Sequence, residues 1–176
     1  MKVLETGEVI ITQDDLQKRI AELGKAISED YSGRDPVLIC VLKGAVVFMS
    51  DLIRTIPIAI SIDFLSISSY GAGGGEAGAV RIIKDLDIDI AARDVVVVED
   101  IIDTGFTLGY LLRILKARNP ASLKVAVLLD RPALRIVDLP VAYKGFEIPD
   151  EFVVGYGLDY KESFRHLPYI CKLKTV

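Results

Sequence analysis

Four consecutive valines, Val95 to Val98, run directly into Glu99 and Asp100 and then, three residues on, Asp103. An apolar run without alternation is a strand covered on both faces, as in the middle of a parallel sheet. Parallel strands need crossover connections, so the expected fold class is α/β, a parallel twisted sheet flanked by helices. In such sheets ligands bind outside the carboxyl ends of the strands, where Glu99 to Thr107 fall.

The residues after the valines fit one kind of guest. Leu108, Leu111, Leu112 and Leu115 have helical spacing, so Asp103 to Thr107 is expected to be a strand-to-helix turn with free backbone N–H groups facing outward, an anion site. Gly105 lets backbone approach a phosphate, and Thr104 and Thr107 add hydroxyl donors. Carboxylates pointing at a phosphate would repel it, so Glu99 and Asp100 are expected to hold sugar hydroxyls, directly or through a metal ion. Phosphate plus hydroxyls describes a ribose phosphate. The alternative is that Asp103 and Thr104 only cap the helix while Glu99 and Asp100 form a solvated strand end.

The segment Glu99-Asp100-Ile-Ile-Asp103-Thr104-Gly105-Phe106-Thr107-Leu108 resembles the phosphoribosyl-diphosphate signature of the type I phosphoribosyltransferases. A second block, Gly145 to Tyr160, resembles the hood of the 6-oxopurine branch, the hypoxanthine (guanine) phosphoribosyltransferases. Leu42-Lys43-Gly44 and Ser69-Tyr70 match as well, so the resemblance runs from about residue 8 onward. It implies a single phosphoribosyltransferase domain over 1–176, with a core of about 12–136, a hood from the N-terminal segment and about 137–176, and a flexible lid loop. It implies purine salvage, with the phosphoribosyl group passing from phosphoribosyl diphosphate to N9 of a 6-oxopurine base.

The resemblance also implies roles. Thr104, Gly105, Phe106 and Thr107 would bind the 5′-phosphate, and Leu42, Lys43, Gly44 and Arg165 the pyrophosphate, through a turn with an unusual cis peptide. Glu99, Asp100 and Asp159 would hold Mg2+, and Ser69 and Tyr70 would belong to the lid. Phe152 would stack on the purine, Val153 would offer backbone groups to the base edge, and Asp103 would accept the imidazole proton. At Arg131 the resembling enzymes usually have Lys, whose ammonium donates to the 6-oxo group. Arg can also donate there, but its planar fork is larger and can engage two acceptors, so the exchange is not conservative. Dimers or tetramers and a cytoplasmic location are implied too.

The rest of the chain is compatible. Residues 12 to 31 read as an amphipathic helix opened by a Thr12/Asp15 capping box, with Leu16, Ile20, Leu23 and Ile27 on one face. Val37 to Leu42 reads as a buried strand followed by a helix from about Ala45 to Ile56, and Ile58 to Ser68 as a long strand. Gly73 to Gly78 matches G-x-G-x-x-G, but Ala79 to Lys84 reads as a strand where a dinucleotide fingerprint needs a helix. The stretch from Asp85 to Val96 lacks the Gly and the closing Glu of a calcium loop. Leu123 to Leu129 reads as a further strand, and short strands follow from Val137.

Composition narrows function further. In 176 residues, 51% apolar, there is room for one domain with a substantial core. A formal net charge of −4 gives no overall basic footprint for nucleic acid or an anionic membrane. Cys40 and Cys171 make neither a metal spacing nor a disulfide framework. The single His166 disfavours a histidine triad or zinc site. The polar N-terminus and the Lys43 interruption of the longest apolar stretch argue against a leader or membrane span. Two rivals remain: a non-catalytic regulator that senses phosphoribosyl diphosphate, and a transferase for another base, which should lack the Phe146-Glu-Ile-Pro149 block.

Overall fold

The structure, a computed structural model, describes residues 4–70 and 79–175. In chain order the elements are β1 (Leu4–Ile11), α1 (Gln13–Asp30), β2 (Val37–Leu42), α2 (Val46–Arg54), β3 (Ser61–Tyr70), β4 (Ala79–Lys84), β5 (Asp94–Ile102), α3 (Phe106–Lys116), β6 (Ser122–Asp130), β7 (Val141–Glu147), β8 (Val153–Val154) and β9 (Ile170–Thr175). Six strands form one sheet in the order β4-β3-β2-β5-β6-β7, parallel except for β4. A smaller antiparallel sheet, β1-β9-β8, forms the hood.

The valine run is central for the reason its composition suggests. Val96 and Val98 pack with α1 and α2 through Leu16, Ile20 and Phe48. Val95 and Val97 face the other way, onto Leu108, Leu111 and Leu115 of α3. All four valines are fully buried, and full burial of one such side chain stabilises by roughly 1.5–3 kcal/mol before entropy is counted.

Local signals hold at both ends of α1. Asp15 N donates to Thr12 Oγ1 (3.2 Å), and the Thr12 hydroxyl donates to Asp15 Oδ2 (2.6 Å). Tyr31 closes the helix, its N–H donating to Ile27 O. Buried Asp63 on β3 accepts from Phe64 N, Asp87 N and Ile88 N, which ties the β4–β5 connection down. Asp85 and Asp87 pair with Arg118 and Lys84. Among the described residues no helix is long and apolar enough to cross a membrane.

Several boundaries differ from expectation. β3 begins at Ser61, not Ile58, and α2 spans Val46–Arg54. β5 continues through Glu99 and Asp100 to Ile102, because its ladder with β6 runs on to Ile102↔Asp130. Phe106 and Thr107 already belong to α3. β7 lies within the range assigned to the hood but pairs in parallel with β6, because buried Tyr143 packs into the α1 side of the large sheet. The glycine-rich stretch 71–78, the body of the expected lid, lies outside the described residues; Ser69 and Tyr70 end β3, and their backbones pair with Val80 and Ala79.

The topology selects one crevice. β2 and β5 are adjacent and parallel, yet the helices that follow them pack on opposite faces of the sheet, α2 on one and α3 on the other. Their carboxyl ends therefore diverge, and ligands of open α/β sheets bind where this happens. Leu42-Lys43-Gly44 leaves one lip and Glu99 to Thr107 the other.

Candidate active site

Gly105 makes the turn from β5 into α3 with φ of 86°, in the left-handed region. A Cβ there would lie 3.0 Å from Val137 O and 3.1 Å from Leu139 Cδ1, so the loop rests directly on the 135–139 segment. That segment clamps it: Ile136 N and Val137 N both donate to Thr104 O at 3.0 Å. Gly105 at the N-cap has no side chain to cap α3, and Phe106 N makes only a long 3.5 Å contact to Thr104 Oγ1, so this helix end can take an anion, beside a cavity of about 190 Å³ lined by Glu99 to Gly105, Thr107 and Leu108.

The carboxylates at this strand end are held under strain. Glu99 Oε2 is buried without a hydrogen-bond partner. Burial, and next the neighbouring Asp100, push the Glu99 carboxyl well above the usual range. Burial likewise pushes Asp100 up to about 6, although Ile101 N donates to it at 2.9 Å. Gly44 is what admits Asp100 here, since a Cβ at position 44 would collide with its carboxyl group.

An orphaned buried oxygen beside a second carboxylate suits a hard divalent cation, which takes one or two carboxylates plus substrate oxygens and water. Among the described residues no three His, Cys, Asp or Glu side chains converge to hold a metal by themselves. Asp159, the third ligand expected from sequence, accepts from Arg165 (2.7 Å) and from Glu162 N (2.8 Å). Glu99 and Asp100 fit such an ion, and Asp159 lines a cavity together with Asp100.

Strained carboxyls have a measurable signature. With folded pKa values above the unfolded ones, the native state binds more protons, so this contribution to stability falls as pH rises from about 4 through about 6 for Asp100 and higher for Glu99. Glu99→Gln is expected to raise the ligand-free Tm at pH 8 by about 3–6 °C, and by less at pH 5. Thermal unfolding at the two pH values checks this; an unchanged or lowered Tm at pH 8 would show that the carboxylate is not strained.

At the other lip the Leu42–Lys43 peptide is cis. Lys43 Nζ is 3.2 Å from Glu162 Oε1, with both side chains about two-thirds exposed (67% and 66%). Gly157 lies against this turn so closely that a Cβ would collide with Gly44 O. Arg165 braces Gly157, its Nη1 donating to Gly157 O at 2.7 Å while Gly157 N donates to Arg165 O at 2.9 Å.

Between the lips and the hood lies a second cavity of about 220 Å³, lined among others by Asp100, Asp103, Arg131, Phe152, Val153 and Asp159. Asp100, Ile101 and Asp103 line both cavities. Phe152 is 54% exposed, its ring edge-on to Tyr160 with centroids 5.6 Å apart. Leu173 N donates to Phe152 O, and by the alternation of an antiparallel ladder Val153 then turns its N–H and C=O away from β9, onto the open edge of β8.

Arg131 does not point to solvent. It is 9% exposed, and its guanidinium donates to Asp103 Oδ1 at 3.1 Å and to Glu151 O. Its Nε is buried without a partner. Sequence reasoning missed the residues that brace these groups. Glu162 reaches Lys43 across 119 positions, and buried Asp130 pairs with Arg135 and Lys144 behind Arg131. Tyr156 donates to Asp51 of α2 and so pins the hood to that helix. Only the alternation of acidic and basic residues over Asp159 to Arg165 hinted at such a network.

Comparison with known proteins matches this assembly. The description "Phosphoribosyl transferase domain" covers residues 11–161. The chain is 51% identical over 170 residues to the Escherichia coli (strain K12) hypoxanthine phosphoribosyltransferase, covering 96% of each protein. It is 50% identical over 167 residues to the bifunctional protein TilS/HprT of Listeria monocytogenes, but spans only 26% of that longer relative. Among solved structures, a Bacillus anthracis hypoxanthine-guanine phosphoribosyltransferase superposes with a TM-score of 0.92 at 44% identity, covering 98% of this chain and all of that one. With the phosphate turn at the switch point and half its residues shared along nearly its whole length, the chain belongs to the phosphoribosyl transferase family.

Proposed function

We infer that this protein is a purine salvage enzyme, working as a homo-oligomer, that transfers the 5-phosphoribosyl group from phosphoribosyl diphosphate to N9 of hypoxanthine, and also of guanine, releasing pyrophosphate. The observation that carries this reading is the pair of cavities joined at Asp100 and Asp103, one floored by the phosphate turn and the other bounded by Arg131, Phe152 and Val153.

The 5′-phosphate sits on the α3 N–H groups with the Thr104 and Thr107 hydroxyls, and Glu99 and Asp100 face the ribose. In the reaction N9 bonds to C1′ as the C1′–oxygen bond to pyrophosphate breaks, through a state with positive charge at C1′. Lys43 and Arg165 neutralise the departing pyrophosphate. Glu99 and Asp100, with Asp159, would hold magnesium, which when bound would add further charge neutralisation. Asp103 accepts the imidazole proton, and Arg131 beside it donates to the 6-oxo group once its hold on Asp103 is shared with the base. Phe152 covers the purine face, and the open edge of β8 at Val153 offers a donor and an acceptor to the base.

Turnover tests the reading directly. With magnesium and phosphoribosyl diphosphate, hypoxanthine and guanine should each give nucleotide and pyrophosphate in equal amounts, and adenine should give almost none. Binding of phosphoribosyl diphosphate without turnover of any base would identify a sensing regulator instead.

A further inference from the structure

The turn that closes the hood is strained out of proportion to its length. Tyr160 N donates to Ser163 O and Ser163 N returns to Tyr160 O, so Lys161 and Glu162 are the central pair of a two-residue hairpin turn. Both have positive φ, 51° and 62°. That combination defines a type I′ turn, for which Asn-Gly or Asp-Gly is the low-energy solution. Lys and Glu have neither a missing Cβ nor a short polar side chain to ease it. Backbone strain of this kind persists only where its surroundings hold it, and it collects at functional sites.

What surrounds Glu162 is the pyrophosphate pole of the site. Asp159 Oδ2 accepts from Glu162 N at 2.8 Å, which orients the residue. Its carboxylate then lies 3.2 and 3.3 Å from Lys43 Nζ, and 3.5 Å from Arg165 Nη2. One carboxylate thus sits between two cations, one from the β2 turn and one from the hood. A bare surface ion pair of this exposure adds little stability, so a polyanion can displace it at small cost.

We propose that Glu162 is a resident competitor for the leaving-group site: its carboxylate bridges Lys43 and Arg165 when no substrate is bound, and the pyrophosphate oxygens must displace it. This rests on the assignment of Lys43 and Arg165 to pyrophosphate made above. Glu162 then weakens pyrophosphate binding and speeds its departure without touching the base step. The strained turn keeps the carboxylate in place even though a glycine would relax the backbone.

The experiment compares wild type, Glu162→Gln and Glu162→Gly, by calorimetric binding of inorganic pyrophosphate in magnesium chloride and by KM for each substrate. Both variants should bind pyrophosphate roughly 3–10-fold tighter at low salt, as removal of one like charge at close range predicts, and the gain should shrink as salt rises. KM for phosphoribosyl diphosphate should fall in parallel while KM for hypoxanthine stays put. Gln keeps the strain and Gly relieves it, so an effect common to both belongs to the charge, and an effect confined to Gly overturns the proposal. If wild type turns over hypoxanthine but neither variant binds pyrophosphate more tightly, Glu162 is no competitor and the cation assignment stands. A wild type that neither binds pyrophosphate nor turns over hypoxanthine overturns the assignment and the proposal together.

Discussion

Asp103→Asn is expected to lower turnover with hypoxanthine by roughly 10²–10⁴-fold, the range for loss of one general base, with binding of phosphoribosyl diphosphate changed little. Asp103 lines both cavities, the two that the proposed reading gives to base and ribose phosphate. Asn preserves its size and can still accept from Arg131, which is 3.1 Å away, but it cannot take up a proton at neutral pH. The loss should therefore appear in kcat measured by single turnover, where product release does not mask chemistry. Full single-turnover activity in the variant removes Asp103 from the proton path and leaves it as an anchor for Arg131.

The second large effect belongs to Arg131. Arg131→Met should abolish most hypoxanthine and guanine activity and gain little with adenine, so selectivity collapses through loss of the good substrates. A site that donates to a substrate oxygen rejects analogues lacking it by roughly 10⁴–10⁵, and this discrimination should erode in the variant. The structure adds a second reason: the same guanidinium holds Asp103 and Glu151 O, so Met also frees the proposed base. Arg131→Lys separates the two roles. One ammonium can donate to the 6-oxo group but lacks the fork that spans two acceptors, so Lys should restore base selectivity more fully than turnover. If Arg131→Met keeps wild-type efficiency and selectivity, another group reads the base.

Much of this architecture was legible because it is written locally. The valine run goes far by itself, since four β-branched residues without alternation favour a strand covered on both faces, and Thr12 with Asp15 states where α1 begins. The strand-to-helix turn at Gly105 was readable for the same reason: its glycine, threonines and flanking carboxylates are contiguous. The cis Leu42–Lys43 peptide came from family resemblance alone, because nothing in three residues dictates it.

What stayed hidden depends on contacts between distant segments. Resemblance put Arg131 at the base, but only the fold shows Asp103 and Glu151 O closing around its guanidinium. β7 has the short, mixed pattern of a hood strand, and its place beside β6 is decided by where Tyr143 finds a core. Lys43 meets Glu162 across 119 positions, and nothing near either residue announces the other. Electrostatic partners separated by a hundred residues leave no periodicity to read.

The contact between Gly157 and Gly44 bears on how such proteins can be recombined. Hood segments are an obvious unit to exchange between relatives when a new base preference is wanted. Here, though, the hood meets the β2 turn backbone to backbone, with no side chain between them to absorb a misfit. A grafted hood that brings any larger residue to position 157 would be lifted from the turn, and the cavity around Arg131 and Phe152 would open with it. The exchangeable module in this molecule is therefore discontinuous: residues 42–44 have to travel with 145–165.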